Sequence, residues 1–573
     1  MKKINLVLTG NSELVEPDKH NLFLGHWCND IIKKKDINFS TQDYHWSDLS
    51  KVKKDYIYLK NTFELFLSAL TLYLNDFHKE NRSETYWRVI IGPWLLQSIC
   101  IIFDRWETLQ KIFKENQNRF DEVNIIRFDE ELLISNDFYN FTEKMESHSW
   151  NHKLFIEIIK ELKPNIKLKE KTFTKEQNQS PRKNNKTNYK IIDKLLSILP
   201  SNKKKLFYQA NFKIFDSVIL YLKNGIMCRQ FNEFNFKVID KNLIDRKKLN
   251  LNFDFKNDYE KFLNKFILRI MPSSYLENYK LLVENSLQIK FNPDMILTAF
   301  AHFNNDFFKI WIAQKILENK KFYICSHGGW VEKEINFGSW EKSAFKFISW
   351  KKEEGKNFIQ MPPNFFLKKR KILNKLEGKS LLFLSYHVES YAHRIQDGPM
   401  SSDILNNHDQ WLQFLKTLNI NIKEKIIFRQ GPFNDNWGFK QKFINNFGEK
   451  YISKKKKLEH DFSNSKIIIN TAMQTTFFET MKMGLPTIIL LKKDLWNLSK
   501  DLFVFYNKLK NNNVIFTNYA DAAKHVNTIW EDPLKWWNSE ELLKLRNEFF
   551  NICCLENQNN LNSWLEFSKK YRL

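Results

Sequence analysis

Short, continuous apolar runs alternate along this chain with longer segments whose apolar positions recur at helical spacing. In the first half the runs fall at 4–8, 123–127, 205–208, 295–298, 322–325 and 345–349. In the second they fall at 381–385, 425–428, 466–469, 487–491 and 514–517. Most lack polar alternation, as strands buried on both faces of a parallel sheet do. Helical patterns lie between them, at 63–77, 212–222, 411–418, 476–483 and 520–530. Two such blocks predict an α/β protein with two Rossmann-like, doubly wound domains facing a cleft. The longest apolar stretch, 89–103, contains Gly92, Pro93 and Gln97. It reads as a turn followed by a buried helix, short of the ~18 residues a spanning helix needs.

Two stretches interrupt the alternation. Residues 163–190 are rich in Lys, Asn and Gln and read as a solvated or disordered insertion. Residues 351–379 are basic and contain Pro362-Pro363, which makes them the expected linker. The expected organisation is a first domain over 1–350, the linker, a second domain over 380–538, and a helical segment over 539–573 that packs back on the first domain. The length, 573 residues, demands at least two cores.

Composition changes this picture in two places. The net charge of +24, from 90 Lys and Arg against 66 Asp and Glu, favours anionic partners such as nucleotides or an anionic membrane surface. No nucleic-acid-binding motif accompanies it, and nucleic acid is not an expected partner. The six cysteines include no C-x-x-C pair, which argues against a zinc ribbon or a disulfide framework and fits a reducing compartment. The apolar run at the N-terminus is too short for a signal peptide. A cytoplasmic protein, peripheral on the inner face of the membrane, is expected.

Three motifs carry chemistry. Ser326-His327-Gly328-Gly329 follows the run at 322–325. The C-terminal end of a parallel strand faces the ligand crevice, two glycines let backbone approach a ligand, and an imidazole exchanges protons near neutrality. Asn470-Thr471-Ala472-Met473-Gln474-Thr475-Thr476 lies between the run at 466–469 and a helix that Gly484-Leu485-Pro486 ends. Hydroxyls there cap the helix start, an anion site, and Glu479 shares their face, where it could accept ribose hydroxyls. Arg429 ends the run at 425–428 and would suit a phosphate.

The first half adds aromatic–polar clusters around His45, Trp46, Arg88 and Arg105, whose indole faces and guanidinium forks suit sugar rings and acidic substituents. Asp48, Glu277 and Asp306 supply carboxylates that spacing does not rank as catalysts. The chain has no G-x-x-x-x-G-K, G-x-S-x-G, H-E-x-x-H or clear G-x-G-x-x-G. No metal and no cofactor is expected.

At these residues the chain resembles transferases associated with O-antigen biosynthesis gene clusters. The matching pieces are Leu24-Gly25-His26-Trp27-Cys28, Tyr44-His45-Trp46-Ser47-Asp48, Tyr86 to Trp94, Ser326 to Gly329 and Thr475 to Thr480. One departure is Trp330-Val331-Glu332, where the family pattern has Gly-Tyr-Gly. The second half also resembles the donor-binding domain of GT-B glycosyltransferases. The resemblance implies a metal-independent glycosyltransferase acting on a nucleotide-sugar donor and a glycan or lipid-linked glycan acceptor. It places Arg429, Gln474, Thr475, Thr476 and Glu479 on the donor, with Gly328 and Gly329 beside it. It lines the cleft with His327, as proton acceptor or hydrogen-bond donor, and puts His45, Trp46, Arg88 and Arg105 on the acceptor side. A polyol-phosphate transferase with a cytidine-diphosphate donor and a non-catalytic glycan-binding or assembly protein are the alternatives.

Overall fold

The apolar runs become parallel strands. The computed structural model describes residues 4–34, 37–117, 119–172, 204–230, 234, 236, 244–251, 253–364, 378–431, 435–491, 494–555 and 560–570. Its strands are β1 (Asn5–Val7), β2 (Asn21–Phe23), β3 (Phe39–Thr41), β4 (Glu122–Ile125), β5 (Lys167–Glu170), β6 (Lys205–Tyr208), β7 (Ile226–Arg229) and β8 (Met295–Thr298). They continue as β9 (Lys321–Cys325), β10 (Lys346–Ser349), β11 (Phe358–Gln360), β12 (Ser380–Ser385), β13 (Ile426–Gln430), β14 (Ser465–Asn470), β15 (Thr487–Leu490) and β16 (Ile515–Phe516).

Two doubly wound sheets dominate. One has the order β11-β10-β9-β8-β6-β7 and the other β13-β12-β14-β15-β16, with every pairing parallel. Each starts on an inner strand, adds its second strand on one side and the rest on the other. The order therefore reverses between β6 and β8 in the first sheet and between β12 and β14 in the second. In such sheets ligands bind outside the carboxyl ends of the strands at the point of reversal. The expected α/β class with Rossmann-like sheets is what the chain adopts.

The first 170 residues add two smaller parallel sheets. β1, β2 and β3 pair in parallel, β4 pairs with β5, and Asn124 on β4 donates to Asn5 Oδ1 on β1 at 2.8 Å. β5 lies inside the stretch read as an unstructured insertion; residues 173–190 of that stretch lie outside the described residues. The expected linker likewise begins as structure. β11 extends the first sheet, and Pro362 O accepts from Trp564 Nε1 at 3.1 Å; residues 365–377 lie outside the described residues.

The turn expected at Gly92-Pro93 is not a turn. One helix runs from Glu84 to Glu115, capped by Ser83, whose hydroxyl accepts from Tyr86 N, with Pro93 inside it. Proline removes one helical hydrogen bond, and here burial on all sides holds the helix through it. Gly92 packs closely there: a Cβ would sit 3.2 Å from Ser339 Oγ. Among the described residues this one helix is long and apolar enough to cross a membrane, and its apolar window is wholly buried in the fold.

The C-terminal segment divides. Helix Glu540–Cys553 packs Phe549 on Phe477 and Phe478 beside the second sheet, at 5.6 and 5.4 Å. Helix Asn560–Lys570 returns to the first, where Trp564 meets Phe212 edge-on at 5.1 Å.

Candidate active site between the two sheets

The reversal point of the second sheet is pinned by one hydroxyl. Thr471, just past β14, donates to Leu384 O at 3.0 Å and accepts from Tyr386 N, just past β12, at 2.7 Å. Helix Thr475–Lys482 follows, one residue earlier than the sequence pattern places it. Gln474 holds its N-cap position but makes no side-chain cap bond, donating instead to the Tyr386 hydroxyl at 3.4 Å. An N-terminus without a side-chain cap keeps its capacity for an anion. Gly484 ends the helix at φ 71°, where Leu485 N reaches back to Thr480 O at 3.1 Å.

The Thr475 hydroxyl serves the other sheet: it accepts from Gly329 N at 3.1 Å. The loop after β9 is thereby held on the helix start after β14. A Cβ on Gly328 would stand 2.5 Å from Thr475 Oγ1, and one on Gly329 2.6 Å from the Phe478 ring. Thr475 can rotate away, whereas Phe478 is buried. Gly329→Ala should therefore cost about 1–3 kcal/mol through overpacking and Gly328→Ala less. Thermal melting of both variants checks this, and equal midpoints would refute the contact.

His327 lies between Phe300, Trp330 and Trp340, at ring separations of 5.0, 5.9 and 6.0 Å. Burial, reinforced by the Arg394 charge, lowers its pKa to about 4, so the imidazole is neutral at neutral pH and able to accept a proton.

Arg394 belongs to the loop that follows β12, which the sequence motifs did not single out. Its Nε donates to Gln396 Oε1 at 3.1 Å, and Gln396 donates to the Tyr386 hydroxyl at 3.1 Å. The same loop carries His387, Glu389 and His393. Burial pushes the Glu389 carboxyl up, but the neighbouring His393, His387 and Arg394 outweigh it and hold the group below its usual value. The available signal was position: Tyr386 to Arg394 directly follows a strand, as the histidine-glycine motif does. Between the two halves a cavity of about 40 Å³ is lined by Trp46, Gln396, Asp403, Asn407, Thr471 and Trp496. That is room for a water or two.

The remaining sequence-predicted residues divide by placement. His327, Gly328, Gly329, Gln474 and Thr475 meet at this junction; Thr476 and Glu479 lie on the same helix. Arg429 is engaged elsewhere, with the segment that follows its own strand. Its guanidinium bonds the Asp461 carboxylate, Lys455 O at 2.9 Å and Lys456 O at 3.2 Å. Asp48 caps helix Leu49–His78 by accepting from Ser50 N at 2.8 Å. Glu277 makes a two-pronged pair with Arg246 at 2.8 and 2.6 Å. Asp306 is buried, accepting from Phe138 N, Ser274 and Tyr275 and pairing with Lys309 at 2.7 Å. None of the three makes a described bond to His327.

Of the residues expected to meet an acceptor, Arg88 is buried and bonded to Glu64 and Glu84. His45 and Arg105 share Asp104, at 3.0 and 2.8 Å. Arg105 also donates to Ala392 O and lies 5.2 Å from the Tyr391 ring, so it braces the loop after β12. Trp46 donates to Asp55 at 2.9 Å and lines the cavity. Among the described residues no three His, Cys, Asp or Glu side chains converge as metal ligands do.

Residues 4–567 match the family model described as LIC12162 family transferase. The chain belongs to that transferase family. No curated protein matches it at the significance applied. Among solved structures it is similar to S. aureus MnaA with UDP, at 12% identity over 60% of this chain and 91% of the other, TM-score 0.33. It is similar to Acinetobacter baumannii MurG at 10% identity over 64% and 99%, TM-score 0.32. It is also similar to WaaG, a glycosyltransferase involved in lipopolysaccharide biosynthesis, at 9% identity over 61% and 100%, TM-score 0.26. Likeness at this level is loose, and no residue role is carried over from it.

Proposed function

We propose that this family transferase is a GT-B-type glycosyltransferase that moves a sugar from a nucleotide-activated donor onto a bacterial surface-polysaccharide acceptor of O-antigen type. The observation that carries the reading is the Gly329–Thr475 bond. It puts a neutral histidine from one sheet beside a helix N-terminus at the reversal point of the other. Transfer needs those two things together. The acceptor hydroxyl attacks the anomeric carbon as the bond to the donor's phosphate oxygen breaks. Its proton passes to His327, and the charge appearing on the leaving nucleotide phosphate is met by the helix amides and Arg394. Both are fixed in advance, so the step is proposed to run without metal. Glu479, a turn further along the helix, is placed for the ribose. The net charge of +24 supports work at the anionic inner face of the membrane.

Arg394 takes the role that spacing alone gave to Arg429. In isothermal titration with nucleotides and nucleotide sugars, Arg394→Ala should lose about 1.5–3 kcal/mol of binding, the worth of a charge-assisted hydrogen bond. Arg429→Ala should lower the melting midpoint and keep the affinity. The reverse pattern would overturn the assignment. Phosphorus retained in the product would identify the polyol-phosphate alternative, and nucleotide binding without turnover a non-catalytic protein.

A further inference from the structure

A buried imidazole beside this site has no hydrogen-bonding partner among the described residues. β8 and β9 are neighbouring parallel strands, with Thr298 opposite Ile324, so the loops at their carboxyl ends emerge together. The first carries Phe300 and His302, the second His327. Phe300 packs on the His327 ring, and Trp340 touches both imidazoles, at 4.9 Å from His302 and 6.0 Å from His327. His302 is 4% exposed, and neither of its ring nitrogens has a hydrogen-bond partner among the described residues. A structural histidine this deep is expected to be bonded, because each orphaned buried group costs about 1–3 kcal/mol.

We infer that His302 is a positioning residue for His327, an acceptor for the ring N–H opposite the nitrogen that takes the proton of the acceptor hydroxyl, engaged when the His327 ring becomes cationic. The inference rests on the glycosyl-transfer reading for the identity of that hydroxyl. A general base that becomes cationic needs a third group to orient it and stabilise the charge. None of the carboxylates the sequence suggests makes a described bond to His327. His302 meets the requirement without charge: burial first, then His327 whenever that ring is protonated, and the Lys309 charge, hold its pKa well below the usual imidazole value, so it is neutral with one nitrogen bare. The charged groups acting on the pair are Arg394 on His327 and Lys309 on His302. The proton count closes. The acceptor O–H breaks, His327 gains the proton, and its opposite N–H turns to His302 until the product leaves. Such bonds often tighten only in the reacting complex.

The test is His302→Phe, which fills the space and removes both orphaned nitrogens. A merely structural histidine would give a variant with turnover unchanged. The expected variant melts no lower than the parent, turns over ~10–100-fold more slowly, within the range of general-base effects, and shows a lowered His327 pKa. That sign follows because an acceptor stabilises the imidazolium, and its loss favours the neutral form. The pKa is read from the Cε1–H resonance of His327, assigned with His327→Gln, in protein without substrate. This readout stands even where no donor is turned over, which separates failure of this inference from failure of the transfer reading. An unchanged His327 titration overturns the inference whatever the rate does. Should the phenylalanine not be accommodated, His302→Met makes the same comparison, and His302→Gln, which keeps an acceptor, should restore most of the parent titration.

Discussion

His327→Ala is expected to lower turnover by ~10²–10⁴-fold, the usual contribution of a positioned general base, with the melting midpoint nearly unchanged. The side chain packs against Phe300, Trp330 and Trp340 but makes no described hydrogen bond, so its removal breaks no polar network. Donor affinity should persist, because the helix start and Arg394 remain. His327→Gln separates the two roles open to the residue: glutamine offers hydrogen bonds but takes up no proton near neutrality. A glutamine variant as slow as the alanine variant marks His327 as the base. A glutamine variant that recovers most of the rate makes it a positioning group and returns the base to a carboxylate. Steady-state turnover with a saturating donor, followed from pH 4 to 8, decides. The parent should hold its rate down to about its lowered pKa and fall only below it.

What the sequence discloses depends on how local the signal is. β6 and β8 fall on their expected bounds because every residue of each is buried, and a tetrapeptide with three apolar residues in a row between turn signals has few other uses. The histidine-glycine and threonine motifs were legible for the same reason: strand, small residues and helix are consecutive. Gly92-Pro93 misled because a helix buried all round tolerates a residue that an exposed one would not. Arg429 misled because a residue at a strand end has two faces to choose from, and Asp461, 32 residues away, decides which. Glu277 was undecidable for a similar reason, since Arg246 is 31 residues before it. The Asp306–Lys309 pair, by contrast, is three apart on one helix, and that spacing marks it as internal. Arg394 carried no signal of its own although its strand was found, because its loop holds no glycine pair and its proposed role rests on its charge acting on His327 from the other sheet.

The departure at Glu332 leads to the last expected result: Glu332→Gln should remove much of the fall in stability between pH 6 and 8 and leave the variant more stable than the parent at pH 8. Glu332 is buried behind the histidine-glycine loop and accepts from Asp397 N at 3.1 Å. Asp397 in turn accepts from Trp496 N and Asn497 N at 2.8 and 2.9 Å, and Asn497 bonds both ways with Lys333 at 2.6 and 2.7 Å. These bonds tie the two sheets together. Burial, and then the Asp397 charge, push the Glu332 carboxyl up to about 8, against the opposing pull of Arg394 and Lys351. In the unfolded chain the same carboxyl titrates near 4.3. Between those values the folded protein holds a proton that the unfolded chain has released, so stability falls as pH rises, and the fall ends above the folded value. Each unit of that separation is worth about 1.4 kcal/mol. Glutamine keeps the acceptor for Asp397 N and has no proton to lose, so its stability should depend less on pH. Denaturant unfolding of both proteins at pH 6, 7 and 8 measures the difference. Parallel pH dependences would mean that Glu332 titrates alike folded and unfolded, and that the contact between the sheets does not hold its proton.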